Sequence, residues 1–208
     1  MPPTSENNRS GRPEFVFIGE HPAIDFANTL VVSDGQLVEL LASWPELVDW
    51  LSRAELSADP SLKVSASRSA VALKSVLELR EAWKDALAKI AAGGTVGDDF
   101  LERLNALLTG DIFHEALHRD GKKGYRLVRS ASRLQGEKLA LAIIARQIVL
   151  FLAEANLSYL HRCANTASCV LYFYDTTKNH RRQWCSVATC GNRHKVAAFR
   201  KRQIKAGR

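Results

Sequence analysis

The segment that decides the fold is residues 162–202, which reads RCANTASCVLYFYDTTKNHRRQWCSVATCGNRHKVAAFRKR. It holds every cysteine of the chain, namely Cys163, Cys169, Cys185 and Cys190. They form two pairs with the spacing C-x5-C-x15-C-x4-C, and the middle interval leaves room for a small hairpin. Structural Zn²⁺ is held tetrahedrally by four thiolate or imidazole ligands, which two such pairs can supply. The spacing therefore predicts one structural zinc ion bound by the four cysteines.

Other states of the cysteines stay open at this point. Free buried thiols and disulfides are the alternatives, and the cellular compartment decides between a disulfide and a metal site. Residues 1–14 are polar and predicted to be disordered, and the apolar run at residues 15–18 is too short for a signal peptide. We therefore expect a cytoplasmic location, near the nucleoid if the chain is bacterial. One of His161, His180 and His194 could replace a thiolate, although the four cysteines already supply all four zinc ligands.

The positive charge of the chain is concentrated in the same C-terminal part. Residues 161–208 carry 11 basic residues and one acidic residue, a net charge of +10, whereas residues 1–160 carry 18 basic and 21 acidic residues, a net charge of −3. The end of the chain predicts a basic helix that docks an apolar edge on the zinc-binding part, the edge being Val196, Phe199 and Gln203. Its exposed cations are typical of a surface that contacts nucleic-acid phosphates. A solvated helix without a partner is the alternative.

The longer part of the chain predicts a helical domain. Apolar residues recur with helical spacing over residues 68–92, 98–108 and 136–155. The last of these is the most apolar, but charged and polar residues break it far short of the ~20 residues that a membrane crossing needs, so we expect a buried helix. With 46% hydrophobic and 25% charged residues, the composition is that of a globular protein and excludes a wholly disordered chain.

Shorter signals complete the predicted fold. Ser43 followed by Glu46 is a capping box that opens a short helix. Residues 112–117 and 125–128 flank turn residues and predict a β-hairpin, while residues 57–67 are predicted to be a linker. Extended structure is predicted at the start of residues 13–32 and over residues 170–174. The expected fold class is mainly α with small β elements, an α+β fold.

The cysteine segment closely resembles the CGNR zinc-finger family. That family combines two cysteine pairs, an arginine-rich run before Trp-Cys, and Cys-Gly-Asn-Arg followed by a basic helix. Gln183 and Tyr174 depart from the pattern at positions that are not ligands. The resemblance implies four-cysteine zinc binding in a small, treble-clef-like module that joins a hairpin to the C-terminal basic helix. The matching residues are Phe173, Asp175, Arg182, Trp184, Cys185, Cys190, Gly191, Asn192, Arg193 and Lys195.

The region upstream is similar to the ABATE domain, which is usually fused to that finger and is associated with stress-induced transcription regulation. The similarity rests on Asp25-Phe26-Ala27-Asn28-Thr29, on Leu40-Leu41 with Trp50-Leu51, and on Leu79-Arg80-Glu81-Ala82. Together the two resemblances cover nearly all of the chain from Phe15. They imply a disordered N-terminus at residues 1–14, an ABATE-like domain at residues 15–156 and a zinc finger at residues 157–208.

The leading hypothesis is a transcription regulator whose zinc finger binds DNA while the N-terminal domain senses a signal or mediates self-association. A homodimer is expected because two-fold DNA sites favour one. Arginine is the residue best suited to recognise a base, since the paired donors of its guanidinium match the N7 and O6 acceptors of guanine. Arg193 has an alternative role, which is to donate hydrogen bonds to thiolates or carbonyls beside the zinc. The residues expected to contact DNA are Arg181, Arg182, Arg193, Lys195, Arg200, Lys201 and Arg202.

Two other function classes are weighed against this one. An RNA-binding or protein-interaction module would expose aromatic residues for stacking, and the candidates are Tyr172, Phe173 and Tyr174. An enzyme is not expected, because the chain has no P-loop, GxSxG, HExxH or GxGxxG motif. The N-terminal domain offers a candidate polar pocket for an unidentified small-molecule effector, although such residues near a turn more often bond to the backbone. The residues of that pocket are His21, Asp25 and Asn28.

Overall fold

A computed structural model describes residues 12–109, 113–120, 124–131 and 134–206. For residues 113–120, 124–131, 201 and 204–206 it describes the backbone alone. Most of the N-terminal stretch predicted to be disordered, residues 1–11, lies outside the described residues. The predicted fold class is confirmed, because helices make up most of the described chain and small antiparallel strand pairs accompany them.

The elements follow one another as short and long helices interrupted by paired strands. The helices are α1 Pro22–Ala27, α2 Trp44–Arg53, α3 Ala66–Ala91, α4 Asp98–Leu107, α5 Gly136–Glu154 and α6 Asn192–Ala206. The strands are β1 Leu30–Ser33, β2 Gln36–Glu39, β3 Phe113–Asp120, β4 Gly124–Ala131, β5 Leu160–Arg162 and β6 Tyr172–Tyr174. Each strand pairs antiparallel with one other, in the order β1 with β2, β3 with β4, and β5 with β6.

The chain divides into two compact units. The first, which we call the cysteine unit, comprises Met1–Ala42, Leu87–Gly94 and Asn156–Arg208. The second, which we call the helical unit, comprises Ser43–Ala86 and Thr95–Ala155. The cysteine unit therefore contains residues from both ends of the chain. The division of the sequence into residues 15–156 and 157–208 stays a prediction.

Local signals explain where the helices begin and end. Ser43 caps α2 as predicted, since its hydroxyl oxygen accepts from the Glu46 N–H at 3.4 Å and its O–H donates to the Glu46 carboxylate at 3.0 Å. Helix α3 ends where Gly93 takes a φ of +82°, which favours glycine. The Gly94 N–H then donates to the Lys89 carbonyl oxygen at 2.9 Å, which satisfies one of the carbonyl groups of the last turn.

The helical unit is built around Trp83 of α3. Its ring stacks on Phe100 of α4 and meets Phe151 of α5 edge-on, with 6.1 Å between ring centroids in both pairs. The stretch predicted to be a linker is anchored in this unit, because Leu62 is buried and its carbonyl oxygen accepts from the Trp44 indole N–H at 2.8 Å. Helix α5 buries most of its apolar residues, as predicted. Among the described helices, none combines the length and the apolar character needed to cross a membrane.

The cysteine unit contains, directly after α1, a hairpin that the sequence reasoning missed. Strands β1 and β2 are joined by Asp34 and Gly35, whose φ values of +50° and +80° fit a two-residue turn of type I′. Val31 of β1 lies in a buried cluster that also contains Leu40, Leu171, Phe173 and the four cysteines. The N-terminal hairpin thus contributes to the same hydrophobic core as the cysteines.

Candidate metal centre

The four cysteine side chains form one buried cluster. All four sulfur atoms lie within 4.8 Å of one another, and none of the four residues is more than 5% exposed. The Sγ atom of Cys185 is 3.7 Å from that of Cys169 and 3.6 Å from that of Cys190. Tetrahedral Zn–S bonds of about 2.3 Å place neighbouring sulfurs about 3.8 Å apart, so the spacing fits one structural zinc ion.

Disulfides do not fit this geometry, because all four cysteines are free and the sulfur separations far exceed the ~2.05 Å of a disulfide. Four thiols that converge on one point fit a metal site better than they fit separate buried thiols. The candidate histidines do not belong to the cluster within the described residues. The His180 ring stacks on Tyr159 at 3.6 Å, and the His194 ring lies 5.7 Å from the Trp184 ring. The donor set is therefore four thiolates.

Three of the four cysteines lie in or near a regular element. Cys163 follows β5 and its N–H donates to the Leu171 carbonyl oxygen at 2.9 Å, while Cys169 leads into β6. Cys190 belongs to a π-helical turn, Val187–Gly191, that runs directly into α6. Ser186 caps this turn, since its hydroxyl oxygen accepts from the Thr189 N–H at 3.3 Å. The metal ligand Cys190 thus fixes the start of the basic helix.

The protonation of the cluster favours a bound cation. Hydrogen bonds from the thiols of Cys169 and Cys185 lower the pKa of Cys163 to about 2. The same hydrogen bond to Cys163 raises the pKa of Cys169 to about 12, and the pKa of Cys185 is raised for the same reason. The pocket therefore accommodates one thiolate readily and resists further negative charge. A zinc ion supplies the positive charge that allows all four thiolates to form.

Arg182 is a structural support of the centre that lies beside the cysteines. Its Nε donates to the Trp184 carbonyl oxygen at 3.0 Å, and its Nη2 donates to the carbonyl oxygen of Cys185. Its Nη1 lies 3.2 Å from the Glu20 carboxylate, and its guanidinium carbon is 4.4 Å from the centre of the Phe173 ring. The side chain is thus committed within the cysteine unit.

Asp175 organises the turn between β6 and the second cysteine pair. Its buried carboxylate accepts from the Thr177 hydroxyl at 2.6 Å, the Thr177 N–H at 2.9 Å and the Arg182 N–H at 2.8 Å. Burial alone would raise the pKa of Asp175, but these hydrogen bonds hold it below its usual value. The carboxylate therefore stays ionised and fixes the position of the Arg182 backbone.

The comparisons with known proteins agree with this geometry. Residues 159–203 match the model of the CGNR zinc finger. Residues 20–155 match the model of ABATE, whose description is "Putative stress-induced transcription regulator". The chain belongs to the ABATE family. No curated protein matches the chain.

The ABATE residues nearest the N-terminus serve the structure of the cysteine unit. The ring nitrogen Nδ1 of His21 accepts from the Ala23 N–H at 3.1 Å and so caps α1. The Asp25 carboxylate accepts from the Gly19 N–H at 2.7 Å, and burial raises its pKa to about 6. A cavity of about 360 Å³ lies beside the cysteines, and none of His21, Asp25 and Asn28 lines it. All three residues, predicted to bind an effector, make hydrogen bonds within the cysteine unit.

Asn28 connects the ABATE match to the zinc-finger match. Its side-chain Nδ2 donates to the Tyr172 carbonyl oxygen at 2.9 Å, and its Oδ1 accepts from the Tyr172 N–H at 2.9 Å. Asn28 is 1% exposed and Tyr172 is 6% exposed, so water does not replace these bonds. One amide side chain therefore satisfies both backbone groups of a residue that lies 144 positions away.

Replacing Asn28 with alanine is expected to lower the free energy of unfolding by about 2–4 kcal/mol, because the N–H and C=O groups of Tyr172 would be buried without partners. Urea denaturation of the zinc-loaded protein measures this loss. Asn179→Ala is the matched control, since Asn179 is exposed and should change stability by less than about 0.5 kcal/mol. Equal effects of the two substitutions would show that the bonds to Tyr172 do not stabilise the unit.

The residues predicted to contact DNA fall into three cases. Arg182 is held within the cysteine unit as described above. Lys201 has a side chain that lies outside the described residues. The remaining residues are exposed, and these are Arg181, Arg193, Lys195, Arg200 and Arg202.

The predicted docking of α6 through its apolar edge is wrong. Val196 is 49% exposed and Phe199 is 55% exposed. The helix is instead held at its start, by Cys190 and by the contact between His194 and Trp184. The reason is that the ligand position sets the rotation of the helix, and helical periodicity alone contains no information about it. The sequence reasoning identified this edge but did not predict its exposure.

Proposed function

We propose that this ABATE-family protein is a DNA-binding transcription regulator whose helix α6 contacts the phosphates of duplex DNA. The observation that carries the proposal is a set of cations on a helix anchored by a metal ligand. Each of them is exposed, and none of their side chains makes a hydrogen bond or ion pair with the described part of the chain. The cations are Arg193, Lys195, Arg200 and Arg202. The family description as a transcription regulator supports the same role.

Charge balance supports phosphate as the partner. Four thiolates and one Zn²⁺ contribute −2, so the last 48 residues, with a net charge of +10, keep about +8 when zinc is bound. Phosphate contacts release counterions. The logarithm of the binding constant then falls by about 0.9 for each contact when the salt concentration rises tenfold. Four contacts from α6 correspond to a salt slope of about −3.6. Rigid anchoring at Cys190 holds the cations in one arrangement, which reduces the entropy lost on binding.

A double charge reversal, Lys195→Glu with Arg202→Glu, is expected to weaken binding to a random 20-base-pair duplex by about 100-fold and to reduce the magnitude of the salt slope by about 2. Both residues lie on one flank of α6, so two phosphate contacts are lost together. Fluorescence anisotropy at several salt concentrations measures both quantities, with zinc content checked for each preparation.

The matched control for this variant carries the same charge change elsewhere. Arg68 and Lys89 are exposed cations on α3, and the variant Arg68→Glu with Lys89→Glu should bind DNA within about threefold of the wild type. Equal losses in both variants would mean that only net charge matters and would remove α6 from the interface. Unchanged binding in the α6 variant would contradict the proposal directly.

RNA recognition is the second candidate, and the position of the aromatic residues argues against it. Tyr172 and Phe173 are buried, at 6% and 0% exposure, and Tyr174 is half-buried. The strand that could have stacked on unpaired bases is therefore part of the core. Competition between duplex DNA and single-stranded RNA at one salt concentration separates the two functions.

Other parts of the functional hypothesis rest on the sequence. The families that match are described as a zinc finger and as a transcription regulator, and neither description names an enzyme. We propose that the protein acts without catalysis. The cytoplasmic location, the homodimer and the small-molecule effector stay predictions, as does the treble-clef-like description of the zinc finger.

A further inference from the structure

Helix α6 presents a mixed apolar and cationic face to solvent. Arg193, Val196 and Arg200 are spaced by three and four residues, so they lie along one side of the helix. With residues of the preceding turn they line an open groove. Phe199 follows Val196 by three residues and extends the apolar part of this side. We call these four residues the exposed face of α6.

The opposite side of α6 is the one that meets the protein. His194 contacts Trp184, and Ala198 is half-buried although the residues around it are exposed. Lys195 and Arg202 lie on a flank between the two sides. The helix is therefore oriented so that its exposed face points away from its anchor, with further cations on the flank.

Phosphate binding alone does not require this face. Phosphates are contacted by cations and other hydrogen-bond donors, and exposed valine and phenylalanine side chains add nothing to that interaction. The major groove of B-DNA is wide enough for a helix and displays two groups that match the face. These are the C5-methyl group of thymine, which favours apolar contact, and the N7 and O6 acceptors of guanine, which favour arginine.

We propose that the exposed face of α6 reads bases in the major groove, with Val196 and Phe199 against thymine methyl groups and with Arg193 and Arg200 on guanine. This inference rests on the proposed DNA binding and adds the chemical class of the sequence that is recognised. Duplex RNA offers neither the methyl group nor an accessible major groove. At a rise of about 1.5 Å per residue, the face from Arg193 to Arg200 extends about 10 Å, which spans about three base pairs.

The test starts from the zinc-loaded full-length protein and a pool of random duplex DNA. Sequences retained by the protein are expected to share a short core that contains both thymine and guanine. Replacing one core thymine with deoxyuridine removes only the methyl group and should weaken wild-type binding about fourfold, which corresponds to one buried methyl group. Val196→Ala should weaken binding to the thymine duplex by a similar factor. The affinity of this variant should be the same for the thymine duplex and the deoxyuridine duplex.

Two further variants separate base reading from other roles of the helix. Arg200→Lys keeps the charge but loses the planar guanidinium with its two parallel donors. The variant should still bind random DNA, and its preference for a core guanine should fall at least tenfold. Val187→Ala is the matched control, because Val187 is 59% exposed but precedes α6 in the π-helical turn. It should bind both thymine and deoxyuridine duplexes as the wild type does.

The outcomes distinguish this inference from the function on which it rests. Salt-dependent binding without a selected sequence, and with Val196→Ala unchanged, would overturn base reading while leaving phosphate binding intact. Absence of any binding to random duplex DNA would remove both proposals. A change of sedimentation from dimer to monomer in Val196→Ala would also overturn the inference, because the face would then be an interface between two copies of the chain.

Discussion

Removal of the zinc ion is expected to abolish amide hydrogen-exchange protection in two strands that are far apart in the sequence, β1 near the N-terminus and β6 near the C-terminus. The reason is that Val31 of β1 and Phe173 of β6 share one buried cluster with the four cysteines. Structural zinc contributes about 10–16 kcal/mol in zinc-finger peptides, which equals or exceeds the whole stability of an ordinary domain. The cysteine unit should therefore lose its tertiary structure as a whole.

Mass spectrometry of exchanged peptides, before and after treatment with a strong chelator, measures this effect. Peptides from α4 and α5 in the helical unit serve as an internal reference and should keep their protection. Cys169→Ser should reproduce the effect of the chelator, whereas Ser168→Ala changes the adjacent residue, which is not a ligand, and should retain one zinc ion. Continued protection of β1 in the zinc-free protein would show that the N-terminal hairpin folds independently of the metal.

The parts of the fold that the sequence predicted are those governed by local rules. Helical periodicity located α3, α4 and α5 to within about two residues, because each helix presents an apolar stripe to a core. The capping signal at Ser43 and the glycine stop at Gly93 were equally local. The four zinc ligands were predictable because the metal restricts both residue type and spacing. The family resemblance then favoured the four cysteines over free thiols, disulfides and a histidine ligand.

The parts that the sequence did not predict depend on neighbours distant in the chain. Sequence reasoning predicts Asn28 as a ligand-binding residue, because nothing near it in the sequence reveals Tyr172, its partner at a separation of 144 residues. Sequence reasoning predicts Arg182 as a DNA-contacting cation, because nothing near it in the sequence reveals its contacts with Ile18 and Glu20. The β1–β2 hairpin is a different case, since Asp34-Gly35 is a local signal that was present and was overlooked.

Arg182 also explains why the N-terminal residues belong to the unit that holds the metal. Its Nη1 pairs with Glu20 at 3.2 Å, and its Nη2 lies 3.4 Å from the Ile18 carbonyl oxygen. The same guanidinium binds the carbonyl oxygen of the ligand residue Cys185. One planar side chain thus joins the segment before α1 to the second cysteine pair, which a flexible lysine ammonium cannot do with the same geometry.

Arg182→Lys is accordingly expected to lower the free energy of unfolding of the zinc-loaded protein by about 1.5–3 kcal/mol, the range for a hydrogen bond that involves a charged group. It should also weaken zinc binding by about 10–100-fold, because the support of a ligand residue is lost. Urea denaturation and competition with a chromophoric chelator measure the two effects.

Two controls separate the contribution of the Arg182 guanidinium hydrogen bonds from the contributions of its charge and of its ion pair. Arg181→Lys changes an exposed neighbour and should leave both zinc affinity and stability unchanged. Glu20→Gln removes only the ion pair, whose carboxylate side chain is 43% exposed, and should cost less than about 1 kcal/mol. If Arg182→Lys behaves like Arg181→Lys, the bonds from the guanidinium to the carbonyls of Trp184 and Cys185 do not stabilise the centre. If Glu20→Gln matches the full loss, the ion pair, and not the set of guanidinium hydrogen bonds, joins the N-terminal segment to the metal ligands.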